Sequence, residues 1–181
     1  SAYGSYTEIF EPQNEVTQNY QQLPAIEGRS YEVGLKAALF DERVDATAAL
    51  FRTEQENTAT IAGTFASPRP GYFNYYEPSG ELTSEGIELT LAGEILPGWH
   101  ASGGYTYLDI ENDDGERART FIPEQMLRAQ TTYQLPFWPQ MTVGGQIRWQ
   151  SETFRDQQYN DGQTRQDSYL VTDLMARYEF S

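Results

Sequence analysis

Short turns and long polar loops alternate strictly along this chain, with a strand-like segment between each pair of connections. The turns centre on Asp41-Glu42-Arg43, Leu96-Pro97-Gly98 and Leu135-Pro136-Phe137-Trp138-Pro139, and the loops run over 11–29, 54–82, 109–124 and 151–167. If the eight segments are antiparallel, all the turns fall at one end of the molecule and all the loops at the other. A soluble sandwich has no reason to sort its connections by length. A transmembrane β-barrel of the bacterial outer membrane does sort them, with short turns in the periplasm and long loops outside. The expected fold is therefore all-β, an antiparallel multi-pass transmembrane β-barrel of about eight strands, with 1–181 as one barrel segment.

Composition is compatible with that reading. Only 38% of the residues are hydrophobic, and no run approaches the roughly 20 apolar residues of a spanning helix. A spanning strand needs only about 9–11 residues, half of them facing lipid, so a barrel can be as hydrophilic as a soluble protein. Thirteen Tyr, nine Phe and three Trp supply aromatic rings for the two membrane interfaces. With no Cys, disulfides and thiol nucleophiles are excluded. No basic-then-apolar leader begins at Ser1, so a signal peptide is expected to have been removed or to belong to a longer precursor.

The strands can be read in register. Tyr31, Val33, Leu35, Ala37 and Leu39 share one face of 30–40; Ile87, Leu89 and Leu91 share one face of 84–94. Met141, Val143, Gly145, Ile147 and Trp149 do so in 141–150, and Leu170, Thr172, Leu174, Ala176, Tyr178 and Phe180 in 168–180. Segments 1–10, 44–53 and 126–135 alternate less cleanly. Glu32, Lys36, Glu88, Arg148, Asp173 and Arg177 all fall on the opposite face. A watery barrel interior accepts such charges and lipid does not, so these six are expected to face the lumen and Val33, Leu35, Leu89, Leu91, Ile147 and Leu174 to face lipid. Trp99 and Trp138 stand beside turns, where an indole ring can straddle the membrane boundary.

Ordinary chemistry finds little support, and no enzyme activity is expected. His100 is the single histidine, which makes a zinc site or a catalytic triad a poor reading. Asp109, Glu111, Asp113, Asp114 and Glu116 lack the ligand order of an EF-hand and read as solvated carboxylates, with Asp114-Gly115 making a turn. The four loops carry 17 Asp or Glu against 6 Arg, so −11 of the net charge of −15 lies there. Nucleic acid is not expected as a partner, because binding phosphates needs a basic face. The longest loop interleaves Phe65, Tyr72, Phe73, Tyr75 and Tyr76 with Pro68, Pro70 and Gly71. Such rings can grip a ligand with large, low-entropy contacts, or they can pack on one another.

Six short segments also resemble a known family. They are Tyr6-Thr7-Glu8-Ile9-Phe10-Glu11-Pro12-Gln13, Tyr31-Glu32-Val33-Gly34-Leu35-Lys36, Ala49-Leu50-Phe51-Arg52, Pro97-Gly98-Trp99 with Gly104-Tyr105-Thr106-Tyr107, Thr142-Val143-Gly144-Gly145, and Asp173-Leu174-Met175-Ala176-Arg177-Tyr178. Their order is similar to that in TonB-dependent ferric-siderophore receptors, and most similar to receptors for hydroxamate and pyoverdine-type siderophores. The resemblance covers nearly the whole chain apart from the loops. It implies a ferric siderophore as partner, with iron carried inside the chelate and no cofactor held by protein side chains. Outer-membrane lipid and lipopolysaccharide are the implied surroundings, and the TonB complex acts through a plug region not matched here. In such receptors a plug of roughly 150 residues fills a barrel of about 22 strands, and the match here corresponds to late-middle strands, with about two more usual after Tyr178. Two readings follow: a stretch of a large receptor wall, or a stand-alone eight-stranded barrel with a structural or adhesive role. In the first, the strands near 2–10 and 168–180 do not pair; in the second they must, because lipid leaves no backbone unpaired. The acidic loops lean toward hydroxamate-type over tris-catecholate chelates, or else meet divalent cations that bridge lipopolysaccharide.

Overall fold

The computed structural model describes residues 1–78, 80–156 and 162–180. Its strands are β1 (Ala2–Glu11), β2 (Ile26–Leu39), β3 (Val44–Glu56), β4 (Ala59–Arg69), β5 (Tyr72–Pro78), β6 (Leu82–Leu96), β7 (Trp99–Asn112), β8 (Gln125–Gln134), β9 (Met141–Gln150), β10 (Thr153–Asp156), β11 (Gln163–Gln166) and β12 (Tyr169–Tyr178). Eight of them form one sheet in the order β1-β2-β3-β6-β7-β8-β9-β12, every neighbour antiparallel. The other four form two hairpins, β4-β5 and β10-β11, inside the second and fourth long loops. These hairpins were not anticipated. The 54–82 and 151–167 stretches are polar and irregular in sequence, and they form strands only by pairing locally.

Among the described residues β1 and β12 do not pair, so the sheet is open. It is a partial barrel wall and not the closed eight-stranded barrel that was the alternative.

Each turn has a local cause. Leu39 pairs with Val44 across a tight reversal in which Asp41 and Glu42 both have positive φ, 56° and 64°. The loop is the four residues 40–43, and Phe40 also has a positive φ of 54°, so three successive residues hold a conformation that Gly adopts without steric cost. The left-handed region costs an ordinary residue about 1–2 kcal/mol. Glu42→Gly is therefore expected to stabilise the fold by about 1 kcal/mol, read as a raised denaturant midpoint; an unchanged or lowered midpoint would show that the turn is not held this way. Pro97-Gly98 makes the next turn, with Gly98 at φ 77°, the conformation a type II turn demands of its third residue. Glu94 fastens it by accepting the Gly98 N–H at 2.8 Å. The third turn is closed by Trp138 N–H donating to Leu135 C=O at 3.0 Å.

The register unites the apolar positions of neighbouring strands. Leu35, Ala48, Leu89, Tyr105, Leu127, Trp149 and Leu170 form one continuous row across seven strands. No partner layer covers them: Leu174 is 86% exposed, Leu35 63% and Val33 58%. At the turn end this face carries the ring contacts Trp99–Tyr133 and Trp138–Tyr178–Phe180. Tyr107 stands eight residues beyond Trp99 on β7, and Trp149 stands eight beyond Met141, the β9 partner of Tyr178. Tyr31 stands eight from Leu39 at the turn end of β2, with Tyr6 against it at 5.3 Å. Eight residues are about 26 Å of strand, or about 20 Å of height at barrel tilt. Two aromatic bands with only uncharged side chains between them match the apolar belt of an outer-membrane barrel, about 25 Å tall.

Charges reappear on the same face at or just beyond the loop-side band. Arg52 Nε contacts Glu54 at 2.9 Å and its Nη1 contacts Glu85 at 3.4 Å. Strands β2, β3, β6 and β7 are 13–15 residues long and extend past this level. They overrun the expected loop boundaries because water beyond the belt does not interrupt pairing.

Candidate functional site

The second face of the sheet is polar. The ladder places Glu32, Lys36, Glu88, Arg148, Asp173 and Arg177 all upon it, opposite Val33, Leu35, Leu89, Leu91, Ile147 and Leu174. Lys36 Nζ lies 4.8 Å from the centre of the Tyr3 ring, a cation–π contact. That ring lies over Gly34, where any side chain would collide with it. Gln146 Nε2 donates to Asp173 Oδ2 at 2.7 Å, and Arg148 Nη2 is 3.8 Å from the same oxygen.

Sequence reading overlooked Arg128, which stands directly across from Arg148 on this face. Its segment alternates poorly because Thr131 and Thr132 are alike, so only the pairing of β8 with β9 reveals the juxtaposition.

Charges of opposite sign also divide along the sheet. Glu32, Asp45, Glu88 and Glu94 with Lys36 lie on β2, β3 and β6, whereas Arg128, Arg148 and Arg177 with Asp173 lie on β8, β9 and β12.

The loop aromatics are assembled by a residue that sequence reading had not singled out. Tyr20, from the β1–β2 loop, stacks on Phe65 at 4.3 Å and 5° and meets the edge of Tyr72 at 6.0 Å. Phe65 contacts Tyr75 at 5.4 Å, and the Arg69 guanidinium sits 4.0 Å from the Tyr20 ring centre. So Phe65, Tyr72 and Tyr75 pack together, while Phe73 is 70% exposed. Tyr76 N–H donates to Val16 C=O at 2.8 Å, which docks hairpin β4-β5 onto the first loop. Gln13, only 7% exposed, donates to Asn57 C=O at 2.8 Å and to Pro24 C=O, adding a second fastening. Between the loops, Val16, Pro70, Tyr72, Phe73 and Tyr76 line an open hollow of about 530 Å³.

The remaining two long loops fasten to each other in the same manner. Thr120 and Phe154 exchange hydrogen bonds at 2.7 and 3.0 Å. Arg117 lies 5.4 Å from the Phe154 ring centre and pairs with Glu124 at 3.0 Å; Arg155 lies 4.8 Å from that of Phe121. Arg165 donates to Glu152 at 2.7 Å, which raises its already high pKa.

Of the acidic run, Asp109 and Glu111 lie within β7, and Asp113, Asp114 and Glu116 belong to the turn that follows it. Asn112 Oδ1 accepts the N–H groups of Asp114 at 3.1 Å and Glu116 at 2.9 Å, and Gly115 takes φ 73°. Among the described residues no group of His, Cys, Asp and Glu has the arrangement of a metal site. The His100 carbonyl accepts from Thr131 Oγ1 at 3.0 Å.

A sheet with a lipid-suited belt, a charged second face, tight turns at one end and interlocked loops at the other defines the wall of an outer-membrane β-barrel. The family follows from sequence: residues 1–181 match the model of the TonB dependent receptor-like β-barrel, and the chain belongs to that family of the bacterial outer membrane. The ferric-pyoverdine 358 receptor of Pseudomonas putida is 36% identical over 183 residues, covering 100% of this chain and 22% of the relative. The crystal structure of the ferripyoverdine receptor of Pseudomonas aeruginosa, bound to ferripyoverdine, superposes with a TM-score of 0.86 at 31% identity, covering 99% of this chain and 25% of that one. The alcaligin outer-membrane receptor of Bordetella pertussis gives a TM-score of 0.73 at 38% identity, covering 99% and 30%. The chain thus spans about a fifth to a third of the length of the proteins it matches.

Proposed function

We propose that this chain forms part of the wall of a receptor of about 22 strands that imports ferric siderophores through the outer membrane, coupled to TonB through a plug region of the receptor. The observation that carries this is the pairing of a two-faced, eight-stranded open sheet with loop-side aromatics, in a chain whose relatives are named for ferric pyoverdine and alcaligin. The apolar face meets outer-membrane lipid and the polar face, with Glu32, Lys36, Glu88, Arg148, Asp173 and Arg177, meets the lumen. Uptake by such a wall makes and breaks no bonds, so the chain is not an enzyme. Iron enters inside the chelate and needs no protein ligand.

The first and second loops supply the ligand surface. Phe65 and Tyr75 hold the cluster rigid, Tyr72 and Tyr76 line the hollow, and Phe73 presents its exposed ring. The acidic rim favours neutral or cationic chelates of the hydroxamate class, and its outer carboxylates face lipopolysaccharide. In the full receptor, Phe73→Ala is expected to weaken chelate binding about tenfold, because a ring that closes on a ligand typically contributes more than 1 kcal/mol. Tyr20→Ala, which removes the stacking partner of Phe65, is expected to weaken it comparably without touching ligand. Calorimetric titration with ferric pyoverdine and with a ferric tris-catecholate tests both points. Unchanged affinity in both variants would remove the loop cluster from the binding site.

A further inference from the structure

The stretches 11–29 and 54–82 hold seven glutamates against two arginines, and both arginines are already placed against other groups. Arg29 stands between Glu8 and Glu54 in the ladder of β1, β2 and β3. Arg69 lies 4.0 Å from the Tyr20 ring centre, so a ring of this loop cluster already carries a cation on its face. Glu15 is left over. It is half-buried and has no ion pair among the described residues. Its carbonyl accepts the Leu23 N–H at 2.9 Å, which fixes its backbone, and the residue borders the open hollow of about 530 Å³ between the first two loops. Around the same hollow stand the amides of Asn14 and Asn74 and the rings of Tyr72, Phe73 and Tyr76. Tyr72 joins the hollow to the ring cluster, because it also meets the edge of Tyr20.

We infer that this hollow takes an organic cation, an ammonium or guanidinium group carried on an arm of the chelate, and that Glu15 is the residue that selects for it. The inference rests on the receptor reading, which makes these loops the ligand surface. One carboxylate among aromatic faces and amide oxygens meets such a group by charge, by cation–π contact and by hydrogen bonds together. A metal ion needs several oxygen or imidazole ligands, and no such group exists among the described residues. Size points the same way. A hollow of about 530 Å³ falls within the roughly 300–1,000 Å³ of small-molecule pockets. The excess of glutamate over arginine adds a field that draws a cationic arm inward and repels an anionic one. Glu15 thus sets a preference among chelates by the charge of one arm, and not by the groups that hold the iron.

The test titrates the full-length receptor in detergent with two hydroxamate chelates that differ by one charge. Ferric desferrioxamine B ends in a free ammonium, and its N-acetylated form is neutral. Calorimetry is expected to show the cationic form binding about tenfold more tightly, the worth of one charge-assisted hydrogen bond. Glu15→Gln should remove that preference by weakening the cationic form alone, and Glu15→Asp should restore part of it. Heat-dependent gel migration verifies that each barrel is folded. Equal affinities in the unaltered receptor, a preference that survives in Glu15→Gln, or equal weakening of both chelates by that variant each overturn the site. A second titration needs no iron: arginine amide against citrulline amide, its neutral isostere, read by a fluorophore on the exposed position Gln18→Cys. A response to arginine amide alone, lost in Glu15→Gln, in a receptor that binds neither chelate would keep the cation site and refute the transport reading. Both chelates bound without regard to charge would keep that reading and refute the site.

Discussion

Leu89→Arg is expected to destabilise the folded receptor by about 2–4 kcal/mol, whereas Thr90→Arg, one residue along, costs less than about 1 kcal/mol. Leu89 lies in the middle of β6 and on the apolar face, in one row with Leu35, Ala48, Tyr105 and Leu127. A guanidinium there would have to be desolvated in hydrocarbon or drag water into the membrane. Thr90 shares the polar face with Arg128 and Arg148, where a long cationic side chain remains hydrated. Guanidinium unfolding in phosphatidylcholine vesicles measures both variants of the full receptor. Equal costs would mean that the two faces are not in different solvents, and a larger cost at Thr90 would exchange lipid and lumen.

The second large effect is steric. Gly86→Val is expected to cost about 3 kcal/mol, the upper range for overfilling a packed site. A side chain at Gly86 would run into the Tyr107 carbonyl oxygen and would lie 2.7 Å from the Phe51 ring, which packs over this glycine from β3. Neither neighbour yields easily, because one is sheet backbone and the other is a ring held across the strand. Gly104→Ala provides the contrast, with its nearest atoms at 3.7 and 4.0 Å, and is expected to be nearly neutral. A folded yield of Gly86→Val equal to that of Gly104→Ala, by heat-dependent gel migration, would show that the Phe51–Gly86 contact does not hold the wall together.

The membrane-spanning sheet was legible because its signals are local. Period-two alternation in 30–40, 84–94 and 141–150, Pro97-Gly98 and Asp41-Glu42 as reversals, and the exclusion of Glu32, Lys36, Glu88 and Arg148 from the apolar positions place β2, β6 and β9 and orient their faces. The loops were less legible, since hairpins β4-β5 and β10-β11 have no apolar alternation and depend on pairing with each other. The loop aromatics could be listed in advance, but their arrangement could not. Tyr20 reaches Phe65 across 45 residues of chain, and a ring in a polar loop gives no sign of which distant ring it will meet.

The amino-acid sequence by itself thus determined the number, direction and two-sided chemistry of the spanning strands, because each follows from what a single residue's neighbours in lipid or water will accept. Only the tertiary structure decided that the sheet stays open between β1 and β12 among the described residues, that the four loops fasten into two pairs, and that Arg128 meets Arg148. Those are statements about residues brought together by strand pairing and loop docking. Their energies depend on register and ring geometry between segments far apart in the chain, which no local pattern encodes.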